Sequence, residues 1–174
     1  DGELNLDNVE KLILKSKVHK PIIKTVSIEN THLASGGSIV SFNSIKSLSK
    51  MVKEHDLKLH IDGARIWHAI QEDKNMNYGD YCDSLTFCFS KALGAPIGSM
   101  LLGSAEFIRD AREFRKKLGG GMRQVGVIAS MARTALQSRE SILEDHVKAK
   151  KVYDFLIANL KNEKIESIVY KGTN

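Results

Sequence analysis

Hydrophobic and polar positions along the chain follow two different periods. Residues 57–61, Leu-Lys-Leu-His-Ile, alternate strictly and predict a strand. Residues 84–89 are short, apolar and rich in aromatic and β-branched side chains, as an interior strand should be. A small-residue loop, 92–98, separates them from a second apolar run at 99–102. Residues 22–28 predict a further strand, entered through a turn at Val18-His19-Lys20-Pro21. Between these runs the apolar spacing is helical. Residues 6–15 predict a short helix with Asp7 as cap, Glu10 three residues on, and Val9, Leu12 and Ile13 inward. Residues 44–54 predict a helix capped by Ser44, with Ile45, Leu48, Met51 and Val52 on one face. A helix is expected from 64 to about 72, then an irregular connector over 75–83.

The second half reads as helix. Residues 105–118 place Phe107, Ile108, Ala111, Phe114 and Leu118 on an inward face opposite Arg109, Arg112, Arg115 and Lys116. A long helical pattern runs from Gln124 through Val127, Ile128, Met131, Ala132, Ala135 and Leu136 to Ile142 and Leu143. Ala149, Val152, Tyr153, Leu156 and Leu160 continue it, and 165–170 predicts another strand. No internal repeat, low-complexity tract or Pro/Gly/Ser linker interrupts the chain.

Composition narrows the classes. At 174 residues the chain is long enough for one domain with its own core. No apolar run approaches the roughly 20 residues of a membrane span, so no membrane partner is expected. The net charge of +5 is spread out, without a basic tract carrying interleaved aromatics, so no nucleic-acid partner is expected either. The acidic start lacks an apolar targeting core. Cys82 and Cys88 have no metal-like spacing and read as reduced structural cysteines of a cytoplasmic protein. No metal site is expected.

Candidate chemistry lies at two strand ends. Asp62 and Lys91 each sit just past a strand, 91 − 62 = 29 residues apart, which suits one helix and one loop between neighbouring parallel strands. Ligands of open α/β sheets sit beyond the carboxyl ends of the strands. If the 92–98 loop packs inward, Lys91 is poorly solvated, and burial favours the neutral, nucleophilic amine that forms a Schiff base with an aldehyde. The plain alternative is a lysine pointing into solvent. A strand-end lysine and aspartate are what pyridoxal phosphate needs, the one as covalent anchor and the other to keep the pyridine nitrogen protonated. Asp62 can equally cap the following helix, and the two roles are compatible. Arg65 can pair with a substrate carboxylate or with a neighbouring acid.

Four stretches, in order, resemble the threonine aldolases, which are pyridoxal-phosphate enzymes of the aspartate-aminotransferase-type fold. They are Glu29-Asn30-Thr31-His32 with Gly36-Gly37, His60-Ile61-Asp62-Gly63-Ala64-Arg65, Phe87-Cys88-Phe89-Ser90-Lys91-Ala92-Leu93-Gly94-Ala95-Pro96-Ile97-Gly98-Ser99, and Leu118-Gly119-Gly120-Gly121-Met122-Arg123-Gln124. The resemblance runs over essentially the whole chain but covers only about the middle half of a typical family member. It implies an α/β fold: a three-layer, mostly parallel sheet, incomplete at both ends. Residues 1–143 would belong to the cofactor-binding large domain and 144–174 to a connecting helix and the start of a small C-terminal domain.

The resemblance also implies roles. Lys91 would be catalytic and bind the cofactor together with Asp62 and Ser90, and Arg65 would bind the substrate carboxylate. His19, ten residues before Glu29 (29 − 19 = 10), would assist at the substrate hydroxyl, although a histidine beside a proline is also common in loops. Asn30 or His32 would approach the cofactor ring, whereas Glu29 and Thr31 read as an ordering turn. Lys116 and Arg123 would lie near the cofactor site, from the same subunit or a second one in a dimer or tetramer; a flexible glycine loop with cations can close on a phosphate. His68 stands where relatives often carry asparagine and is assigned no chemistry. The implied reaction is cleavage of threonine or allo-threonine to glycine and acetaldehyde. A β-eliminating lyase on the same fold and a non-catalytic fragment are the alternatives. As a central fragment, the chain alone is expected to bind the cofactor weakly and turn over little.

Overall fold

In the computed structural model, residues 4–14 and 21–160 are described. The first helix, α1 (Leu6–Leu14), buries Ile13, half-buries Val9 and leaves Leu12 56% exposed, so its inward face is narrower than expected. Its cap is Asn5 and not Asp7: the helix begins one residue before Asp7, and the Asn8 N–H donates to Asn5 Oδ1 at 2.9 Å.

Strand β1 (Thr25–Glu29) is shorter than the apolar run suggests. It has a partner only alongside β2 (Lys58–Asp62), whose first residue pairs with Thr25, and Ile22 is left 62% exposed. Helix α2 (Phe42–Glu54) connects the two. Ser41 caps it by accepting from the Ser44 N–H at 3.1 Å, three residues earlier than expected, and Phe42 packs edge-on against Tyr81. Helix α3 (Ile66–Glu72) and a 3-10 turn at Tyr78–Asp80 lead into β3 (Ser84–Cys88). Strand β4 (Ser99–Gly103) turns back beside it. The order is β1-β2-β3-β4, with β1, β2 and β3 parallel and β4 antiparallel to β3. The mostly parallel α/β sheet and the one-helix crossover between Asp62 and Lys91 are therefore as the sequence predicts.

Strand alternation separates two faces. Leu59, Ile61, Leu85 and Phe87 join Ile45, Leu48, Val52 and Ile66 in the core. The other face carries polar rows running across the sheet: Ser27, His60 and Ser84 form one, and Glu29, Asp62 and Thr86 the next. His60 Nδ1 and Ser84 Oγ share a hydrogen bond of 2.8 Å.

The chain then forms α4 (Ala105–Lys117), α5 (Gly126–Gln137), a 3-10 turn (Arg139–Ile142) and α6 (Leu143–Asn159). The long helical pattern is thus broken near residue 138. The apolar stripe of α4 is amphipathic as expected but not inward: Phe107, Phe114 and Leu118 are 42%, 60% and 84% exposed. No described element packs on that stripe closely enough to bury any of its residues. The predicted strand at 165–170 lies outside the described residues. Among the described residues no helix is long and apolar enough to cross a membrane.

Leu48 is fully buried. Truncation to alanine should lower the unfolding free energy by about 2–5 kcal/mol. Lys50→Ala, on the exposed side of the same helix, should change it by about 0.5 kcal/mol or less. Urea unfolding of the two variants checks this.

Candidate active site

The carboxyl ends of β1, β2 and β3 share one edge of the sheet, and the candidate residues collect there. Asp62 ends β2 and is exposed; its Oδ1 accepts from the Ala64 N–H at 3.0 Å, so it closes the turn into α3 while leaving its second oxygen outward. Gly63 makes that turn possible. A Cβ there would lie 2.6 Å from the Thr86 carbonyl oxygen and 2.9 Å from Ile66 Cβ, and the Gly63 N–H donates to the same Thr86 oxygen at 2.8 Å. Backbone this close to a neighbouring strand admits no side chain. Arg65 follows at the start of α3, half-buried. Among the described residues it makes no ion pair, so the alternative of a salt bridge to a neighbouring acid is not realised there.

Lys91 stands three residues past β3, in a loop folded on itself. The Phe89 N–H donates to Gly98 O, Ala95 N–H to Phe89 O, and Gly94 N–H to Lys91 O. Phe89, Leu93 and Ala95 are buried, so part of the loop packs inward, while Pro96 and Ile97 are exposed. Lys91 and Ser90 are nevertheless exposed. The expected desolvation of the lysine is therefore not supplied by the described residues: Leu93 and Ala95 turn into the core, while the lysine stays on the outer side with Pro96 and Ile97. Among the described residues its side chain has no hydrogen bond or ion pair.

The Glu29–His32 stretch behaves mainly as an ordering device. Asn30 is fully buried, with its Nδ2 donating to Tyr78 Oη at 3.2 Å and its Oδ1 accepting from the Val40 N–H at 3.1 Å. Both ends of this amide are thus engaged inside the protein, and the expected approach to a cofactor ring is replaced by a tie between β1 and the 75–83 connector. His32 hydrogen-bonds Ser35 Oγ through Nδ1 at 2.7 Å, and Glu29 accepts from the Leu33 N–H. Gly36 and Gly37 bend the chain at φ 75° and 79°. Tyr78 was hidden in what reads as a polar connector. Burial pushes its hydroxyl up to about 12, against a smaller lowering by the Asn30 hydrogen bond.

The glycine run has a local job. The Gly119 N–H donates to Lys116 O at 3.2 Å and Gly120 N–H to Arg115 O at 2.8 Å, with Gly119 at φ 84°. These two bonds terminate α4 as a Schellman motif. Their amides are committed to helix carbonyls and cannot also cradle a phosphate. Lys116 lies along Gly121, where a Cβ would meet its side chain at 2.6 Å, and both Lys116 and Arg123 are exposed. His19 lies outside the described residues. Among the described residues no cluster of His, Cys, Asp or Glu could hold a metal ion.

A family model described as "Beta-eliminating lyase" matches residues 1–167. The chain is 40% identical over 157 residues to the low specificity L-threonine aldolase of Escherichia coli (strain K12), covering 86% of this chain and 45% of that protein. It is 42% identical over 143 residues to the low-specificity L-threonine aldolase of Candida albicans, covering 79% and 37%. The chain thus spans about two fifths of the length of the curated relatives it matches. Among solved structures, the threonine aldolase of Leishmania major superposes with a TM-score of 0.76 at 21% identity, covering 91% of this chain and 48% of that one. An aspartate aminotransferase double mutant of Thermus thermophilus superposes at 0.63 with 15% identity, covering 90% and 42%. These superpositions establish the aspartate-aminotransferase-type fold.

The Tyr78–Asn30 pair has a pH signature. The folded protein keeps the Tyr78 proton up to about 12, whereas the unfolded chain releases it near 10. Between those limits the folded state binds more protons, so stability should fall as pH rises through that window. Tyr78→Phe should remove this part of the alkaline slope in melts at several pH values. A tyrosinate absorbance titration should show one late-ionising group in the parent and none in the variant.

Proposed function

Since the chain belongs to the beta-eliminating lyase family, we propose that the whole protein is a pyridoxal-phosphate-dependent lyase that cleaves threonine or allo-threonine to glycine and acetaldehyde. The observation that carries this reading is the pairing of β2 with β3, which brings Asp62 and Lys91 to the same edge of the sheet with Arg65 one short turn away. The aldolase names of the relatives at about 40% identity support the substrate class.

The residues present fit such a cofactor. Lys91 and Arg65 are cationic groups uncommitted among the described residues, and the second Asp62 oxygen is turned outward. When bound, pyridoxal phosphate supplies a ring that accepts the electron pair released from the breaking Cα–Cβ bond. On this reading Lys91 holds the cofactor covalently, and Asp62 keeps a proton on the ring nitrogen. Ser90, beside Lys91, contributes a hydroxyl toward the same group. Arg65 grips the substrate α-carboxylate with a two-pronged hydrogen bond and so orients the scissile bond. His19 takes the proton of the β-hydroxyl. Lys116 and Arg123 offer positive charge to the phosphate, from the same or a neighbouring subunit. Asn30 supports the site from within by tying β1 to Tyr78.

Burial of Lys91, which the described residues do not supply, is assigned to the remainder of the protein. The exposed apolar stripes of α4, α5 and α6 support packing against that remainder or against a second subunit in a dimer or tetramer. Residues 1–143 are assigned to the cofactor-binding domain and 144–174 to the connection into a second domain. A cytoplasmic enzyme of threonine breakdown and glycine formation is the setting this reading implies. The family description favours one competing reaction, β-elimination on the same site.

Product analysis on the full protein separates the two: glycine and acetaldehyde from threonine support aldol cleavage, whereas pyruvate and ammonia from cysteine or tryptophan support elimination. Addition of pyridoxal phosphate should give a visible absorbance band that survives dialysis and is missing in Lys91→Ala. Arg65→Ala should raise KM for the amino acid by about 10- to 100-fold while leaving that band in place.

A further inference from the structure

Two buried histidines join α6 to the core. His68 on α3 and His146 on α6 are each 7% exposed, and their rings stack with centroids 5.5 Å apart and planes 20° from parallel. The surrounding acids are arranged reciprocally. His146 Nδ1 meets Glu72 of α3, and His68 Nε2 lies 3.7 Å from Asp145 Oδ2 of α6. Both carboxylates are about half exposed. Beside them, Gln71 Nε2 donates to the Arg139 carbonyl at 3.2 Å, and Ile142 is buried at 1% exposure. The rest of α6 adds little grip: His146 is its one buried residue among those described, while Val147, Val152, Phe155 and Ile157 are all more than half exposed.

We propose that this histidine pair is an acid-sensitive clasp: α6 stays docked on α3 while His68, stacked on His146, is neutral, and is released when His68 takes up a proton. A proton on His68 would be held against the stacked His146 ring in a site shielded from water, with the half-exposed Asp145 carboxylate as its counter-charge. Burial and the His146 charge both hold the His68 pKa below its usual value, with Arg65 adding a smaller push the same way. The backbone hydrogen bond at Arg65 and the Asp145 charge oppose them without reversing the direction. The remaining charges on the packed elements are engaged at the rim. Lys148 lies 3.9 Å from Asp145 and 3.3 Å from Glu144, Lys74 pairs with Glu140 at 2.7 Å, and Arg139 lies 3.9 Å from Glu140.

The sign follows from proton counting. An undocked His68 takes up its proton near the ordinary histidine value of 6.5, and the docked one only at lower pH. Undocking therefore consumes a proton in that interval, and the docked state weakens as pH falls. The limit for one proton is about a tenfold change in the docking equilibrium per pH unit. This device concerns the attachment of α6 alone and holds whichever reaction the strand-end site performs.

The test is hydrogen exchange of the full protein followed by mass spectrometry, corrected for the intrinsic pH dependence of exchange. Below pH 6.5, peptides from α6 should lose protection by up to about tenfold per pH unit, while β3 peptides hold theirs. In His68→Asn the pH dependence of α6 should disappear, and in His146→Gln it should shrink, because burial still lowers the His68 pKa once the neighbouring charge is gone. Protection of α6 that is independent of pH in the parent, or a pH dependence unchanged in both variants, would overturn the clasp. Should either variant leave α6 undocked at every pH, imidazole titration by NMR in the parent decides. A His68 midpoint below the ordinary histidine value upholds the clasp, and one at or above it rejects it.

Discussion

The structure depends on one close approach, that of Gly63 to β3. Its amide bonds the Thr86 carbonyl, and no side chain can stand between them. This contact fixes where β2 stops, and hence where Asp62 points. It also sets the start of α3 and the position of Arg65. Because β3 is the strand that runs on toward Lys91, the same contact aligns the two halves of the candidate site. An added methyl at residue 63 would act on all three positions at once.

Around that corner the polypeptide uses its polar residues twice. Asp62 serves the turn with one oxygen and keeps the other outward. Asn30 engages both its Nδ2 and its Oδ1, with Tyr78 and Val40, and so belongs to the framework of the site. The glycines after α4 are spent on ending a helix before any question of a phosphate arises. In each case the nearest unsatisfied backbone or buried polar group has first claim on a side chain or amide, because leaving it unpaired costs about 1–3 kcal/mol. Residues left over, such as Lys91 and Arg65, are the ones available for a ligand.

The features legible in the sequence were those written in local period and local turn chemistry. The alternation at 57–61 and the helical stripe of Ile45, Leu48 and Val52 reappear in the fold. Where caps were misassigned, at Asp7 and Ser44, the sequence offered several polar candidates within one turn, and the start of packing decided between them. The exposure of Phe107, Phe114 and Leu118 was not legible, because an amphipathic stripe records that something covers it but not what. The sequence left open whether Lys91 is buried or points to solvent, since a loop of small residues can pack partly inward while turning one long side chain out. The His68–His146 stack joins positions 146 − 68 = 78 residues apart, and no local pattern announces such a pair.

The central claim is that Lys91 anchors an aldehyde cofactor at the end of β3. Borohydride reduction of the full protein loaded with pyridoxal phosphate, followed by peptide mapping, tests it most directly. The account predicts a single stoichiometric pyridoxyl mass on the peptide that contains Lys91, and its loss on prior treatment with hydroxylamine. Label carried by another lysine, or scattered over surface lysines with Lys91 bare, would contradict it.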